Sequence, residues 1–108
     1  MNKPWRRIEV RGDSMRPSLV PGDRLLVVRW PVVRVGHLVA VRTAERIVVK
    51  RVVAVGRRTV DVAGDNPGAS TDYAGVPRSH VVGRVVYRYA PSERVGRVGR
   101  VGRVGRPH

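Results

Sequence analysis

Ser14 and Lys50 are the residues whose types and settings could together perform acyl transfer. Ser14 lies in Gly12-Asp13-Ser14-Met15-Arg16-Pro17-Ser18-Leu19, which runs through Pro21-Gly22-Asp23 into the apolar stretch Leu25–Val28. Gly12 permits a positive φ just before the serine, and Pro17 and Pro21 stiffen the chain on its C-terminal side. A serine presented at such a bend is a nucleophile only if a base takes its proton. The 108 residues include no cysteine, and His37, His80 and His108 are scattered without metal-ligand spacing. The base is then a histidine, as in a Ser-His-Asp triad, or a lysine. Lys50 is one of two lysines beside twenty arginines, and it sits inside Arg46-Ile47-Val48-Val49-Lys50-Arg51-Val52-Val53-Ala54-Val55. Strand alternation places it on a face with Val48, Val52 and Ala54, with Arg51 opposite. Apolar neighbours disfavour the ammonium and lower a lysine pKa from ~10.4, as a general base near neutral pH requires. Taken singly, Ser14 reads as a turn serine and Lys50 as a strand lysine snorkelling to water.

The elements that must position these residues are short strands. Valine dominates the apolar positions and phenylalanine is absent, which favours strand over helix. Strands are expected at Ile8–Arg11, Arg24–Trp30, His37–Arg42, Arg46–Val55, Thr59–Ala63 and His80–Tyr89, with Ser14–Leu19 a loop or single helical turn. Arg24–Trp30 is apolar on both faces at its centre and is expected to be fully buried. Gly64–Pro77, rich in Gly, Pro, Asn, Asp and Ser, is expected to be an irregular loop. Within it Asp65 and Asn66 can brace neighbouring backbone, Ser70 can hydrogen-bond near a lysine and Asp72 can face a cation. It lacks calcium-loop spacing, so no metal site is expected. Many short strands with turn signals between them indicate a mainly β, barrel-like or sandwich-like fold.

The formal net charge is +14. Residues 1–93 still carry 17 basic against 8 acidic groups, a composition that attracts nucleic acid or anionic surfaces non-specifically. From Arg94 the chain repeats Arg-Val-Gly four times before Arg106. Period three matches neither helix nor strand, and the arginines repel one another. A disordered basic tail is expected, available for non-specific anionic contacts. No apolar run approaches the ~20 residues of a membrane helix, and Met1-Asn2-Lys3-Pro4-Trp5-Arg6-Arg7 lacks the apolar segment of a signal peptide. Cytoplasmic localisation is expected.

Taken in order, Gly12–Leu19, Pro21–Val27, Lys50-Arg51-Val52-Val53, Gly64-Asp65-Asn66 with Ser70 and Asp72, Val76-Pro77 and Val82-Gly83-Arg84-Val85 resemble the motif series of the type I signal peptidases. Those Ser–Lys peptidases share a β-fold with LexA-type self-cleaving repressors. The resemblance covers roughly residues 8–90. It implies a compact fold of short, mostly antiparallel strands. It implies Ser14 as nucleophile and Lys50 as general base, with Ser70 orienting the lysine and Asp72, Arg51, Gly64 and Asp65 in support. Met15 and Pro17 fall where the substrate would bind, no cofactor is required, and the oxyanion would rest on the Ser14 N–H. Some members add a hydroxyl at the place held here by Gly12. The usual Asp-Ser-Arg reads Asp72-Tyr73-Ala74 and loses its arginine.

Neither the membrane anchor nor the inserted β-domain of signal peptidases is expected from these residues, nor the helix-turn-helix domain of a LexA-type repressor. The chain is most similar to the small soluble proteases that mature nickel-type superoxide dismutase. The expected organisation is an N-terminal arm at 1–7, a peptidase domain at 8–91 and a tail at 92–108. The expected activity is endopeptidase removal of an N-terminal leader from a protein precursor, in the first place that of nickel superoxide dismutase. Signal-peptidase-like processing of another protein, a basic nucleic-acid-binding module and a degenerate non-catalytic relative are the alternatives. The binding module would show a steep salt dependence lost with residues 94–108, but Trp5, Trp30, Tyr73, Tyr87 and Tyr89 form no evident stacking platform.

Overall fold

The computed structural model describes residues 3–29 and 32–98. Eight strands form it: β1 (Trp5–Glu9), β2 (Arg24–Val28), β3 (Leu38–Arg42), β4 (Ile47–Val55), β5 (Thr59–Ala63), β6 (Tyr73–Pro77), β7 (Val81–Ala90) and β8 (Gly96–Arg97). All pairings are antiparallel, in the order β1-β2-β7-β3-β4-β5-β6, with β8 added to β7. Among the described residues the only helical elements are single 3₁₀ turns at Pro67–Ala69, Arg78–His80 and Ser92–Arg94, and no helix is long and apolar enough to cross a membrane. The mainly β, compact antiparallel fold is as the sequence indicates.

Two apolar clusters fill the interior. One gathers Val10, Met15, Leu19, Leu25, Val27, Leu38, Ala40, Val49 and Val85. The other is built from Val39, Val41, Val52, Val60, Val62 and Val76. Alternate residues of β3 and β4 feed opposite clusters, as a period of two requires when a strand is covered on both sides. Branched valines suit that role because χ1 is already restricted before folding.

Several boundaries differ from the sequence expectation. The first strand begins at Trp5, not Ile8, because Trp5–Glu9 pairs along its length with Val28–Arg24. In β2 only Leu25 and Val27 are buried; Leu26 and Val28 are half-buried, so the strand is not enclosed on both faces. The expected loop at Gly64–Pro77 ends in strand β6, whose Val60↔Val76 pairing delivers Val76 to the second cluster. Order also runs beyond the expected boundary at residue 91, through Ser92–Arg94 and β8 to Val98, which packs against the first cluster. The rest of the repeat lies outside the described residues.

That extension is held by a buried carboxylate. Asp23 is wholly buried. Its Oδ2 accepts from the Val20 N–H at 3.0 Å, Arg88 Nη1 at 3.2 Å and Arg94 Nη2 at 3.1 Å, and its Oδ1 accepts from Arg94 Nε at 2.8 Å. Arg88 also donates to the Ser18 carbonyl at 3.1 Å. Burial alone would raise the Asp23 pKa. The hydrogen bonds from Arg94 and Val20, with the charges of Arg94 and Arg88, outweigh it and hold the carboxyl below its ordinary range. The folded state therefore gains stability from Asp23 above the unfolded carboxylate pKa and loses it as pH falls through the depressed value. Asp23→Asn should lower unfolding free energy by about 3 kcal/mol and flatten the acid limb of stability against pH, read from urea midpoints at a series of pH values.

Candidate active site

Residues after β1 form a tight turn. The Arg16 N–H donates to the Asp13 carbonyl at 3.1 Å and the Leu19 N–H to the Met15 carbonyl at 2.9 Å, closing hydrogen-bonded turns across Asp13–Leu19. Gly12 enters this segment with φ 78°, the left-handed conformation that glycine adopts without penalty. Met15 and Leu19, buried in the first cluster, anchor the turn from below. Ser14 is left half-buried at its rim.

From the other side, the segment after β5 grips this turn. Asn66 Nδ2 donates to the Asp13 carbonyl at 3.0 Å, and the Asn66 N–H donates to the Ser14 carbonyl at 2.9 Å. Asp65 reaches the same turn through its side chain, accepting from Ser18 Oγ at 2.6 Å. It also accepts two hydrogen bonds from Arg51, Nη2 to Oδ2 at 2.6 Å and Nε to Oδ1 at 3.2 Å. Arg51 Nη1 continues to the Gly36 carbonyl at 3.0 Å. Asp65 and Asn66 thus brace a distant turn, not their own loop as expected. Arg51 does project opposite Lys50, and it binds β4 to both segments. Such a bidentate, water-excluded pair fixes geometry as well as contributing energy.

Lys50 is 4% exposed, so it does not snorkel. Its neighbours two positions away, Val48 and Val52, pack in the second cluster. Nζ donates to Ser70 Oγ at 3.2 Å and lies 5.9 Å from the centroid of the Tyr73 ring. Ser70 Oγ also accepts the Gly64 N–H at 3.0 Å and donates to Asp72 Oδ1 at 3.1 Å. With two donors received and its one proton given, the hydroxyl has a fixed orientation. Burial lowers the Lys50 pKa from its ordinary value; the charge of Asp72 raises it in part and that of Arg46 lowers it further.

Ser14 and Lys50 line one cavity of about 390 Å³. Ile8–Met15 form one wall, Arg46–Lys50 another, and Ala69, Thr71 and Tyr73 border it. Met15 is part of that lining, whereas Pro17 stands exposed outside it. The β4–β5 pairing reaches only to Arg51↔Ala63, so Ile47–Lys50 pair with β3 alone and leave one backbone edge beside the cavity. β1, on the other wall, is an edge strand. The arrangement can bring a hydroxyl, a lysine with a depressed pKa and an extended polypeptide into one cleft. Sequence reasoning did not find Ser18 or the long reach of Asn66. Both are polar residues in turns, and only the fold reveals partners about fifty positions away.

The antiparallel β-fold places a serine turn and a buried lysine on one cleft. Residues 4–86 match the Peptidase S24-like family model, and the chain belongs to that family. No curated protein shows significant sequence similarity to it. Family membership makes this a serine-peptidase-type protein and agrees with the coarse resemblance seen in the sequence.

Gly64 is the tightest point of the site. A Cβ there would overlap the Ser70 hydroxyl and lie 2.5 Å from the Ser14 carbonyl oxygen. Gly64→Ala must push apart the serine turn and the lysine's hydrogen-bond partner. A displacement near 1 Å can cost about 100-fold in rate. Peptidase activity is therefore expected to fall by about that factor while the far-UV circular dichroism spectrum stays that of a β protein.

Proposed function

We propose that the protein is an endopeptidase in which Ser14 is the nucleophile and Lys50 the general base. The observation that carries this reading is a lysine buried in an apolar strand, with its pKa lowered by burial, lining the same cleft as Ser14. Neutral Lys50 takes the Ser14 Oγ proton as Oγ attacks the scissile carbonyl carbon. The resulting ammonium protonates the departing amine, and a water activated by Lys50 then hydrolyses the serine ester. Ser70, held by Gly64 and Asp72, keeps Nζ in register. The Ser14 N–H is the proposed oxyanion donor, and no cofactor enters the scheme. Met15 contributes to the substrate cleft. The free edge at Ile47–Lys50 suits an extended substrate that adds as a strand.

The proposed substrate is a protein precursor bearing an N-terminal leader, and in particular the nickel superoxide dismutase precursor. Support for it is the likeness of the ordered motifs to the small proteases that mature that enzyme. Incubation with the precursor, followed by sequencing of the product N-terminus, tests the assignment. Intact precursor, with other leader-bearing proteins cut, would redirect the substrate and leave the mechanism standing.

Ser14→Ala and Lys50→Ala should each abolish cleavage and preserve the fold. Cleavage by both purified variants would sink the proposal. The rate should rise with pH as Lys50 loses its proton, with a midpoint below the ordinary lysine value of 10.5. Asp72→Asn removes a charge that raises the Lys50 pKa, so the midpoint should move to lower pH; Arg46→Gln removes one that lowers it, so the midpoint should move up.

A further inference from the structure

A second concavity, of about 460 Å³, lies beyond the candidate active site and holds Lys3, Trp5, Arg6, Arg29 and Arg42 above Val27 and Val82. The three arginines share one placement. Arg6 precedes Ile8 by two, Arg29 follows Val27 by two, and Arg42 follows Ala40 by two. Period-two alternation therefore places each on the face that carries the first apolar cluster, one step past its edge. β1, the end of β2 and the end of β3 thus raise three guanidinium groups around one groove, with Lys3 a fourth cation. Among the described residues none of the four pairs with a carboxylate. Four like charges around one hollow raise a positive potential that an anionic ligand would neutralise.

This groove adjoins the catalytic cleft. β1 borders both, with Trp5 and Arg6 at the groove and Ile8 and Glu9 at the cleft. The β3–β4 hairpin does the same, since groove residue Arg42 pairs directly with cleft residue Ile47. We infer that the groove is an exosite for an acidic segment of the polypeptide whose scissile bond lies at Ser14. The inference rests on the peptidase reading for its choice of a polypeptide.

The test is fluorescence anisotropy of a labelled hexaglutamate peptide on full-length Ser14→Ala protein, which needs no turnover. Binding should weaken from about 50 to 200 mM salt. It should fall about tenfold in the double variant Arg29→Glu/Arg42→Glu. Arg57→Glu/Arg58→Glu, an equal charge change on the exposed turn at the far end of β4, should leave it within about twofold. Equal loss in both double variants, or no loss in the first, would overturn the exosite. Tighter binding of dodecathymidylate, lost with the same two arginines, would overturn it in favour of nucleic acid. In cleavage, wild type should show a lower KM for a peptide extended by a run of Glu than for its Ser counterpart, and Arg29→Glu/Arg42→Glu should erase the difference. If no peptide is cut, the peptidase reading fails while the anisotropy result still decides whether the groove takes an acidic peptide.

Discussion

Arg51 and Asp65 meet as a two-bond ion pair almost out of water, with their side chains 8% and 16% exposed. Everything in the candidate site depends on where that pair holds three segments. Arg51 belongs to the strand that carries Lys50, Asp65 to the segment that carries Ser70, and Ser18, on Asp65, to the turn that carries Ser14. Two desolvated charges contribute little net stability compared with apolar replacements of the same volume. What they supply here is direction, because guanidinium and carboxylate lock in one plane and at one distance.

Lys50 lives under opposite demands. As the proposed general base it must be dry enough to lose its proton, yet a buried amine needs a partner for its N–H groups. Ser70 meets the second need with a neutral hydroxyl, so the hydrogen bond is satisfied without placing a carboxylate against Nζ. Asp72 stands one step further out, behind Ser70, where its charge acts on the amine from a distance. This layering keeps the lysine oriented while limiting the pull that raises its pKa.

Much of this was legible in the residues. Valine-rich runs between turn signals marked β3, β4, β5 and β7, and the rarity of lysine drew attention to Lys50. The β1 boundary was obscured because Trp5-Arg6-Arg7 carries its charges on an exposed edge, where pairing with β2 decides the strand. β6 was hidden because Tyr73-Ala74-Gly75-Val76-Pro77 has turn-like composition and buries only Val76. Asp23 read as a turn residue. Its role depends on Arg88 and Arg94, about seventy positions later, and no local pattern carries that information. The same holds for Asn66 and Ser18, whose partners come together only after the sheet has formed.

Arg94, which caps Asp23, is also the first residue of the Arg-Val-Gly repeat. Identical copies make that cap replaceable. Removal of one Arg-Val-Gly copy leaves another directly after Ser92-Glu93. The arginine that reaches Asp23 and the residues that pair as β8 are thereby regenerated in place. The repeat thus begins at a position where a change in copy number leaves the local sequence the same. Selection on the fold would register the first copy and be blind to which one it had been.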